Sequence, residues 1–146
     1  MIYVYTDGAC RIHTDRRGGL AYVVLDGTTS EKIAEGGKTI YETTNNRMEV
    51  QAAIEALYYL QSTGRTPSSI ILYSDSLYLV DAFKKKWVER WEKHNYKGRP
   101  NSDLWREILN ITRTFKDLTF EHVKGHNGDT WNEYVDKLAL RYSNGS

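Results

Sequence analysis

Hydrophobic and polar residues alternate along this chain with two different periods, which separate predicted strands from predicted helices. The first forty residues contain β-rich runs bounded by polar turns: Ile2–Tyr5, Leu20–Leu25 and about Glu31–Tyr41. The first run ends in Thr6-Asp7-Gly8, and Asp26-Gly27 is a strong hairpin signal between the other two. The pattern predicts three strands in an antiparallel meander.

From residue 45 the spacing of apolar residues becomes helical. Ala53, Ala56 and Leu60 form a stripe that predicts a helix over residues 45–61, with Asn45 or Asn46 as its cap and Gly64 at its end. The rest of the chain predicts a strand buried on both faces at 70–73, a helix through Phe83, a basic helical segment, a helix over 101–115, a strand over 118–123, and a last helix carrying Trp131, Val135, Leu138 and Tyr142.

The resulting order is β-β-β-α-β-α-α-β-α. Antiparallel strands followed by alternating strands and helices predict an α/β fold, with a five-stranded mixed sheet and helices on both of its faces. A chain of 146 residues is about the size of one domain, so we expect residues 1–146 to form a single catalytic domain.

Composition narrows the class of protein. The single cysteine, Cys10, excludes an internal disulfide and a four-cysteine zinc site. Hydrophobic residues make up 40% and charged residues 27%, as is ordinary for a globular domain. No apolar run approaches the ~18 residues that span a bilayer, and no basic and apolar leader precedes the first strand. We therefore expect a cytoplasmic protein with no membrane contact, and a monomer by default.

Basic residues are concentrated in one segment. Residues 84–99 hold seven basic and two acidic groups, a net charge of +5, which leaves −4 elsewhere on a chain whose total is +1. Trp87, Trp91 and Tyr96 lie among these charges, and rings interleaved with Lys and Arg are typical of nucleic-acid contacts. The alternatives are a solvated helix face or a core stripe, because Phe83, Trp87 and Trp91 recur every four residues.

Four carboxylates and a histidine are candidates for chemistry. Asp7 and Asp75 each follow a predicted strand, so parallel pairing would place both at one sheet edge, although Asp7 could be a turn residue and Asp75 a helix cap. Glu49 shares the core-facing helical stripe, where a carboxylate is unfavourable unless it is paired or binds a cation, although it could also interact favourably with the helix N-terminus. Asp136 lies beside the core face of the last helix, and His126 lies in a glycine-flanked loop available for proton transfer.

Clustered carboxylates without cysteine or paired histidine favour Mg²⁺ or Mn²⁺ over zinc. Two such ions about 4 Å apart activate water and stabilise a leaving oxygen in phosphoryl chemistry. With a basic, aromatic segment nearby, a nucleic acid is the expected phosphodiester.

The motifs together closely resemble those of type I ribonucleases H. They are Thr6-Asp7-Gly8-Ala9-Cys10, Thr43-Thr44-Asn45-Asn46-Arg47-Met48-Glu49, Tyr73-Ser74-Asp75-Ser76, and Val123-Lys124-Gly125-His126 with Asn132-Glu133 and Asp136. They occur in the family's order with comparable spacing and span nearly the whole chain. Trp87 and Trp91, in a segment leading to Asp103-Leu104-Trp105, resemble the family's substrate-binding protrusion.

The resemblance implies a ribonuclease H-like fold and hydrolysis of the RNA strand of an RNA/DNA hybrid, leaving 3′-hydroxyl and 5′-phosphate ends. By the same resemblance, Asp7, Glu49, Asp75 and Asp136 would hold two Mg²⁺ ions, with Mn²⁺ able to substitute and Asp7 bridging the two. His126 would assist proton movement or product release.

The resemblance also assigns substrate contacts position by position. Asn45 and Asn46 would meet the minor groove of the hybrid, where 2′-hydroxyls mark the RNA strand. The backbone around Gly8 and Cys10 would touch the RNA. Thr44 and Asn101 would grip the DNA strand together with Trp87, Trp91 and the basic segment that includes Lys86.

Three departures from the family pattern affect these contacts. The loop Arg11–Arg17 lacks the usual Asn-Pro-Gly-Pro-Gly, although Arg11, Arg16 and Arg17 could supply phosphate contacts instead. Leu77 stands where many relatives have glutamine, and Glu42 where the residue is often basic. We expect altered affinity or cleavage preference with the chemistry intact.

Two alternative functions are a non-catalytic hybrid- or duplex-binding module with the same fold, and another metal nuclease such as a transposase-like or exonuclease core. The complete carboxylate set argues against the first. The Gly-His loop and the basic aromatic segment argue against the second.

Overall fold

A computed structural model describes residues 1–124 and 130–145 of the chain. Its strands are β1 (Ile2–Cys10), β2 (Gly18–Asp26), β3 (Lys32–Ile40), β4 (Ser69–Ser74) and β5 (Asp117–His122). Its helices are α1 (Asn45–Ser62), α2 (Leu77–Lys84), α3 (Trp87–Lys93), α4 (Ser102–Thr112) and α5 (Thr130–Ser143). No helix in these ranges is both long enough and apolar enough to cross a membrane.

The five strands form one mixed sheet in the order β3-β2-β1-β4-β5. β1 pairs antiparallel with β2, and β2 with β3, whereas β1 pairs parallel with β4, and β4 with β5. The sheet predicted from the sequence is therefore confirmed, with its antiparallel half built from the first three strands and its parallel half from the later two.

The first strand is longer than predicted. Its parallel pairing with β4 ends at Tyr5 and Tyr73, but its antiparallel pairing with β2 continues to Cys10 and Gly18. The expectation that β1 stops at Thr6-Asp7-Gly8 is wrong, because a partner strand on one side is enough to keep those residues extended. Asp7 therefore lies within β1, two residues past the end of its parallel pairing.

Helices cover both faces of the sheet. Val4 and the buried faces of α1, α2 and α4 share the larger apolar core, whereas Tyr5, on the opposite face of β1, packs with α5. In β4, Ile70 and Leu72 are buried but Ile71 and Tyr73 are half-buried. The expected burial of β4 on both faces is thus only half correct, because α5 packs on β1, β2 and β3.

The cap of α1 differs from the prediction. Thr44, not Asn45 or Asn46, is the N-cap residue, and its side-chain oxygen accepts a 3.2 Å hydrogen bond from the backbone N–H of Arg47. Gly64 follows the helix with φ of 76°, the left-handed conformation that glycine adopts at helix C-termini.

Three helices, not two, separate β4 from β5. Lys86 has φ of 59°, so the chain turns between α2 and α3 and the basic segment forms a separate helix. Asn101 has φ of 60° and precedes α4, which ends at Thr112, before the predicted residue 115. These left-handed residues redirect the chain without leaving a signal in its hydrophobic periodicity.

The predicted turn at Asp26 has a different geometry. The connection between β2 and β3 contains residues 27–31, with Ser30 at a φ of 64°. The Asp26 carboxylate accepts hydrogen bonds from the backbone N–H groups of Thr28 and Thr29. The side chain of Asp26 therefore stabilises this longer turn.

Candidate active site

Three carboxylates from separate parts of the chain meet at one end of the parallel strands. Asp7 comes from β1, Glu49 from the second turn of α1, and Asp75 from the connection after β4. One carboxylate oxygen of each lies within 4.8 Å of the others. Asp7 is only 3% exposed, and Glu49 and Asp75 are half-buried. The fold thus brings three acids close together in a partly buried place.

Gly8 determines how closely the first two carboxylates approach. Its backbone N–H donates to Asp7 Oδ1 at 2.9 Å and to Glu49 Oε1 at 2.7 Å. A Cβ at this position would lie 2.5 Å from the carbonyl carbon of Met48, so only glycine lets α1 pack this near to β1. This N–H belongs to the backbone that the resemblance assigns to RNA contact, and it is already bound to two acids.

The serines on either side of Asp75 form the side-chain hydrogen bonds at the start of α2. Ser76 is the N-cap of α2 and accepts a hydrogen bond from the Leu79 N–H. Ser74 Oγ accepts a hydrogen bond from the Ser76 N–H. The helix-cap alternative for Asp75 is thus wrong, since Ser76 performs that role.

The electrostatics of the cluster favour a bound cation. Burial, followed by the charges of Glu49 and Asp75, raises the pKa of Asp7 to about 11. Burial and the charge of Asp75 raise the pKa of Glu49 to about 8. Without a cation, these groups resist ionisation at neutral pH, because burial and mutual repulsion both oppose negative charge. An all-carboxylate oxygen donor set fits a hard divalent ion such as Mg²⁺.

Asp136 joins this cluster from the other side of the sheet. It lies on α5, and its side chain hydrogen-bonds to Asp7 and contributes to the raised pKa of that residue. It does not belong to the group of three whose oxygens lie within 4.8 Å of one another. His126 lies outside the described residues.

An aromatic groove lies beside the cluster. Its volume is about 790 Å³, and its lining comprises Asn46, Tyr78, Trp87, Arg90, Trp91, His94, Arg99, Pro100, Asn101 and Trp105. Trp91 packs edge-on against Trp105 at 5.2 Å and lies 6.3 Å from Trp87. The Arg99 guanidinium lies 4.6 Å from the ring centre of Trp91. The groove therefore presents flat apolar surfaces together with positive charge.

Both interpretations of the aromatic stripe are partly correct. Phe83 stacks on Phe120 at 4.2 Å, and Tyr96 is only 4% exposed, so these two rings belong to the core. Trp87 and Trp91 are half-buried and line the groove. Phe83, the first ring of the stripe, therefore packs in the core, and the two tryptophans line the groove. The change occurs because α3 begins after the turn at Lys86.

The groove and the carboxylates meet along the first two turns of α1. Asn46 lines the groove, and Glu49 follows it by three residues, so the two side chains are neighbours on the helix surface. A chain of phosphates lying along the groove would therefore pass beside the acidic cluster.

The other residues that the resemblance assigns to substrate contact differ in their exposure and in their hydrogen-bond partners. Asn45 and Lys86 are exposed, at the start of α1 and just before α3. Thr44 caps α1, and Cys10 Sγ hydrogen-bonds to the carbonyl oxygen of Thr43 at 3.3 Å. The Asn101 amide bonds to two neighbouring side chains, Arg47 and Tyr78.

The atypical loop Arg11–Arg17 is compact and internally paired. Its ends are joined by a hydrogen bond from the Arg11 N–H to the Arg17 carbonyl, and Asp15 lies within 3.9 Å of both guanidinium groups. Arg16 Nε donates to the Thr43 carbonyl. Phosphate binding by these arginines would therefore compete with existing partners.

Of the other departures from the family pattern, Glu42 has φ of 53°, and Leu77 is 53% exposed at the start of α2.

Tyr78 was not predicted from the sequence, and His94, Arg99 and Arg47 were given no individual role. Arg99 and His94 belong to the basic segment, which was a usable signal, but their place in the groove depends on how the chain folds back after α3. Tyr78 follows Leu77 in an apolar run and carries no distinguishing signal.

Comparisons with known proteins agree with this architecture. The family model for RNase H matches residues 1–144. The ribonuclease H of Chlorobium luteolum is 40% identical over 143 residues, covering 94% of this chain and 92% of that protein. The solved structure of RNase H1 from Halobacterium salinarum superposes with a TM-score of 0.76 at 26% identity, covering 99% of this chain and 98% of the other.

A further solved structure, LC11-RNase H1 in complex with an RNA/DNA hybrid, has a TM-score of 0.74 at 24% identity and covers 97% of this chain and 98% of the other. At that identity it supports the fold alone. The family model matches nearly the whole chain, and a relative of similar length is 40% identical. This chain belongs to the ribonuclease H family.

Proposed function

We propose that the protein is an endoribonuclease that hydrolyses the RNA strand of RNA/DNA hybrids and leaves 3′-hydroxyl and 5′-phosphate ends. Residues 1–146 would act as a single catalytic domain. Membership of a metal-dependent nuclease family supports the class of reaction. The observation that carries the proposal is the meeting of Asp7, Glu49 and Asp75 within 4.8 Å beside a basic, aromatic groove.

The carboxylates would hold two Mg²⁺ ions, with Mn²⁺ able to substitute. When bound, the ions supply activation of the attacking water and stabilisation of the departing 3′ oxygen. Asp7, which is the most buried of the three and contacts both Glu49 and Asp136, would help to hold both ions, as the family resemblance implies. The Gly8 N–H keeps the Glu49 carboxylate directed into the site. His126 would carry a proton to or from the reacting groups.

The groove would position the hybrid. Trp87 and Trp91 offer faces for the sugars and bases of the DNA strand, while Arg99 and Lys86 attract its phosphates. Asn45 and Asn46 would reach the minor groove from the first turn of α1, one turn from Glu49. Gly8 and Cys10 would approach the RNA, and Thr44 and Asn101 the DNA backbone.

The deciding experiment uses RNA labelled at its 5′ end and annealed to DNA, incubated with the full-length protein in Mg²⁺ and in chelator. The same RNA alone, an RNA/RNA duplex and a DNA/DNA duplex test strand specificity. The proposal expects metal-dependent cleavage confined to the RNA of the hybrid, with a labelled upstream product that ends in a 3′-hydroxyl and can therefore be extended by a polymerase.

Asp7→Asn is expected to abolish this turnover, and Asp117→Asn serves as its matched control. Asp117 is an exposed acid at the start of β5, where it pairs with Ser69, and its substitution should leave the rate near that of the parent protein. Tight binding without cleavage in either Mg²⁺ or Mn²⁺ would favour the non-catalytic binding module instead. Cleavage of DNA duplexes would favour the other metal nucleases.

We also propose that the protein acts as a monomer in the cytoplasm. Sedimentation equilibrium at micromolar concentrations tests the first part, and a mass twice that of the chain would contradict it. Fractionation of the source cells tests the second.

A further inference from the structure

Arg47 connects the start of α1 to the start of α4. Its guanidinium group donates to both carboxylate oxygens of Asp103, at 3.0 and 2.8 Å, and to Oδ1 of Asn101 at 3.2 Å. Its own backbone N–H is bound by the Thr44 cap. Arg47 is therefore in contact with both residues that the proposed function assigns to the DNA backbone.

The contact with Arg47 fixes which way the Asn101 amide points. An asparagine amide can rotate by half a turn to exchange its oxygen and nitrogen, but a guanidinium group only donates hydrogen bonds, so the group facing Arg47 must be the oxygen. The Asn101 Nδ2 then donates to the Tyr78 hydroxyl at 2.9 Å. A hydroxyl can donate or accept, so Tyr78 would accommodate either orientation. Arg47 thus determines the orientation of the Asn101 amide.

The orientation matters because Asn101 lines the groove. Nδ2 carries two hydrogens, and Tyr78 receives one of them. Among the described residues the second has no acceptor, so it is available to a ligand in the groove, for which a phosphate oxygen is a matching acceptor. With the amide reversed, the oxygen would occupy this place and repel a phosphate. Asn101 also has φ of 60°, so its backbone is held in the left-handed conformation that asparagine tolerates.

We propose that Arg47 is a positioning residue that presents the Asn101 amide as a hydrogen-bond donor to a phosphate of the bound DNA strand. The inference rests on the proposed function for its ligand, an RNA/DNA hybrid. Arg47 acts through Asn101 and leaves the chemical step at the carboxylates unchanged. Its ion pair with Asp103 holds the guanidinium group in place, since Asp103 engages both of its terminal nitrogens.

The test measures affinity for a fluorescein-labelled RNA/DNA hybrid by anisotropy without divalent metal, so that no cleavage intervenes. Arg47→Ala and Asn101→Ala are each expected to weaken binding about tenfold, the size of one hydrogen bond to a charged group. Because Arg47 acts through Asn101, the double variant should bind no more weakly than either single variant. Arg47→Lys, still a pure donor, should recover most of the affinity.

The matched control is Arg113→Ala. Arg113 forms the corresponding two-point ion pair with Glu92, at 2.7 and 2.6 Å, and its removal changes the net charge by the same amount. Arg113 does not line the aromatic groove. Its substitution should change affinity by less than about twofold. Thermal melting of all the variants reports on folding, and the lysine variant keeps the test valid if Arg47→Ala is unstable.

Kinetics give the second readout. The proposal expects Arg47→Ala to raise KM with kcat within about twofold of the parent, since only binding is affected. If the affinity losses of the two single variants multiplied in the double variant, Arg47 would contact the hybrid directly, and the inference would be overturned. An Asn101→Ala variant of unchanged affinity would also overturn it. Failure of the parent protein to cleave the hybrid, with the coupled losses still present, would refute the proposed function while supporting the inference.

Discussion

The backbone N–H of Gly8 donates to Glu49 Oε1 at 2.7 Å, across forty-one residues of chain. This hydrogen bond joins β1 to the second turn of α1. It also holds two carboxylates on one backbone group, because the same N–H donates to Asp7. The spacing of the acids is thus set by the main chain of a strand, which is more rigid than any side chain.

Gly8→Ala is expected to lower kcat by roughly a hundredfold, the effect typical of a displacement of about 1 Å at a catalytic group. The added Cβ would lie 2.5 Å from the Met48 carbonyl carbon and 2.6 Å from the Glu49 nitrogen, so α1 must move and carry Glu49 with it. Single-turnover cleavage of a hybrid measures the loss.

Gly64→Ala is the control for this substitution. A Cβ there meets no heavy atom within 4 Å, but the φ of 76° strains an alanine. It should reduce the free energy of unfolding by about 1 kcal/mol and leave kcat unchanged. A Gly8→Ala protein with the parent kcat would show that the position of α1 does not limit the reaction.

Asp7→Asn is expected to stabilise the metal-free protein at neutral pH. The pKa of Asp7 is raised to about 11 by burial and neighbouring charges, so the folded state retains a proton that the unfolded state releases above its pKa of 3.8. Stability therefore falls as pH rises from about 4 toward 11. An uncharged amide avoids this loss, which we place on the order of 4 kcal/mol at pH 7.

Urea unfolding in chelator at several pH values measures this difference, which should vanish below about pH 4, where Asp7 is protonated in both states. Added Mg²⁺ should stabilise the parent protein and have little effect on Asp7→Asn, because ligand binding stabilises only the state that binds. An Asp7→Asn protein less stable than the parent in chelator at pH 7 would contradict the prediction.

Much of the fold could be predicted from the spacing of hydrophobic residues, because the strand and helix patterns are distinct in β2, α1 and α5. The ends of elements were less predictable. β1 continues past Gly8 because β2 supplies a partner on one side, and pairing between strands is a property of the assembled sheet. The turn at Lys86 likewise depends on one left-handed residue inside a segment whose composition is helical throughout.

The site was predictable to the extent that its residues carry local signals. Glu49 was identifiable because a carboxylate on a core-facing stripe is unfavourable without a partner. The role of Gly8 in spacing the acids, and that of Tyr78 beside Asn101, follow only from contacts between elements distant in sequence. The orientation of an amide cannot be deduced from residue types, since it depends on which donors surround it.

Lys86 is expected to contribute most of the phosphate attraction of the Lys84–Lys86 run. Lys84 pairs with Glu121 at 2.6 Å, and Lys85 lies 3.5 Å from Asp81. Lys86 is exposed and has no ion pair with any residue in 1–124 or 130–145. Lys86→Ala should weaken hybrid binding and reduce the slope of log K against log salt by about 0.9, as for one lost phosphate contact.

Lys116→Ala is the matched control, because Lys116 is exposed beyond α4 and does not line the aromatic groove. The slope of log K against log salt for this variant should equal that of the parent protein. Replacement of all three lysines, Lys84–Lys86, should weaken binding further and flatten the salt dependence. An unchanged slope in that triple variant would mean that the segment is only a solvated surface.

His126→Ala is expected to slow turnover more than it weakens binding of the hybrid. A histidine that carries a proton in the reaction contributes to kcat, so its loss should lower kcat by roughly a hundredfold while Kd changes little. His94 provides the contrast, because it lines the groove and should affect Kd without changing kcat. Single-turnover rates and anisotropy titrations of both variants separate the two effects. A His126→Ala protein that differs from the parent only in Kd would assign His126 to substrate binding and remove it from proton transfer.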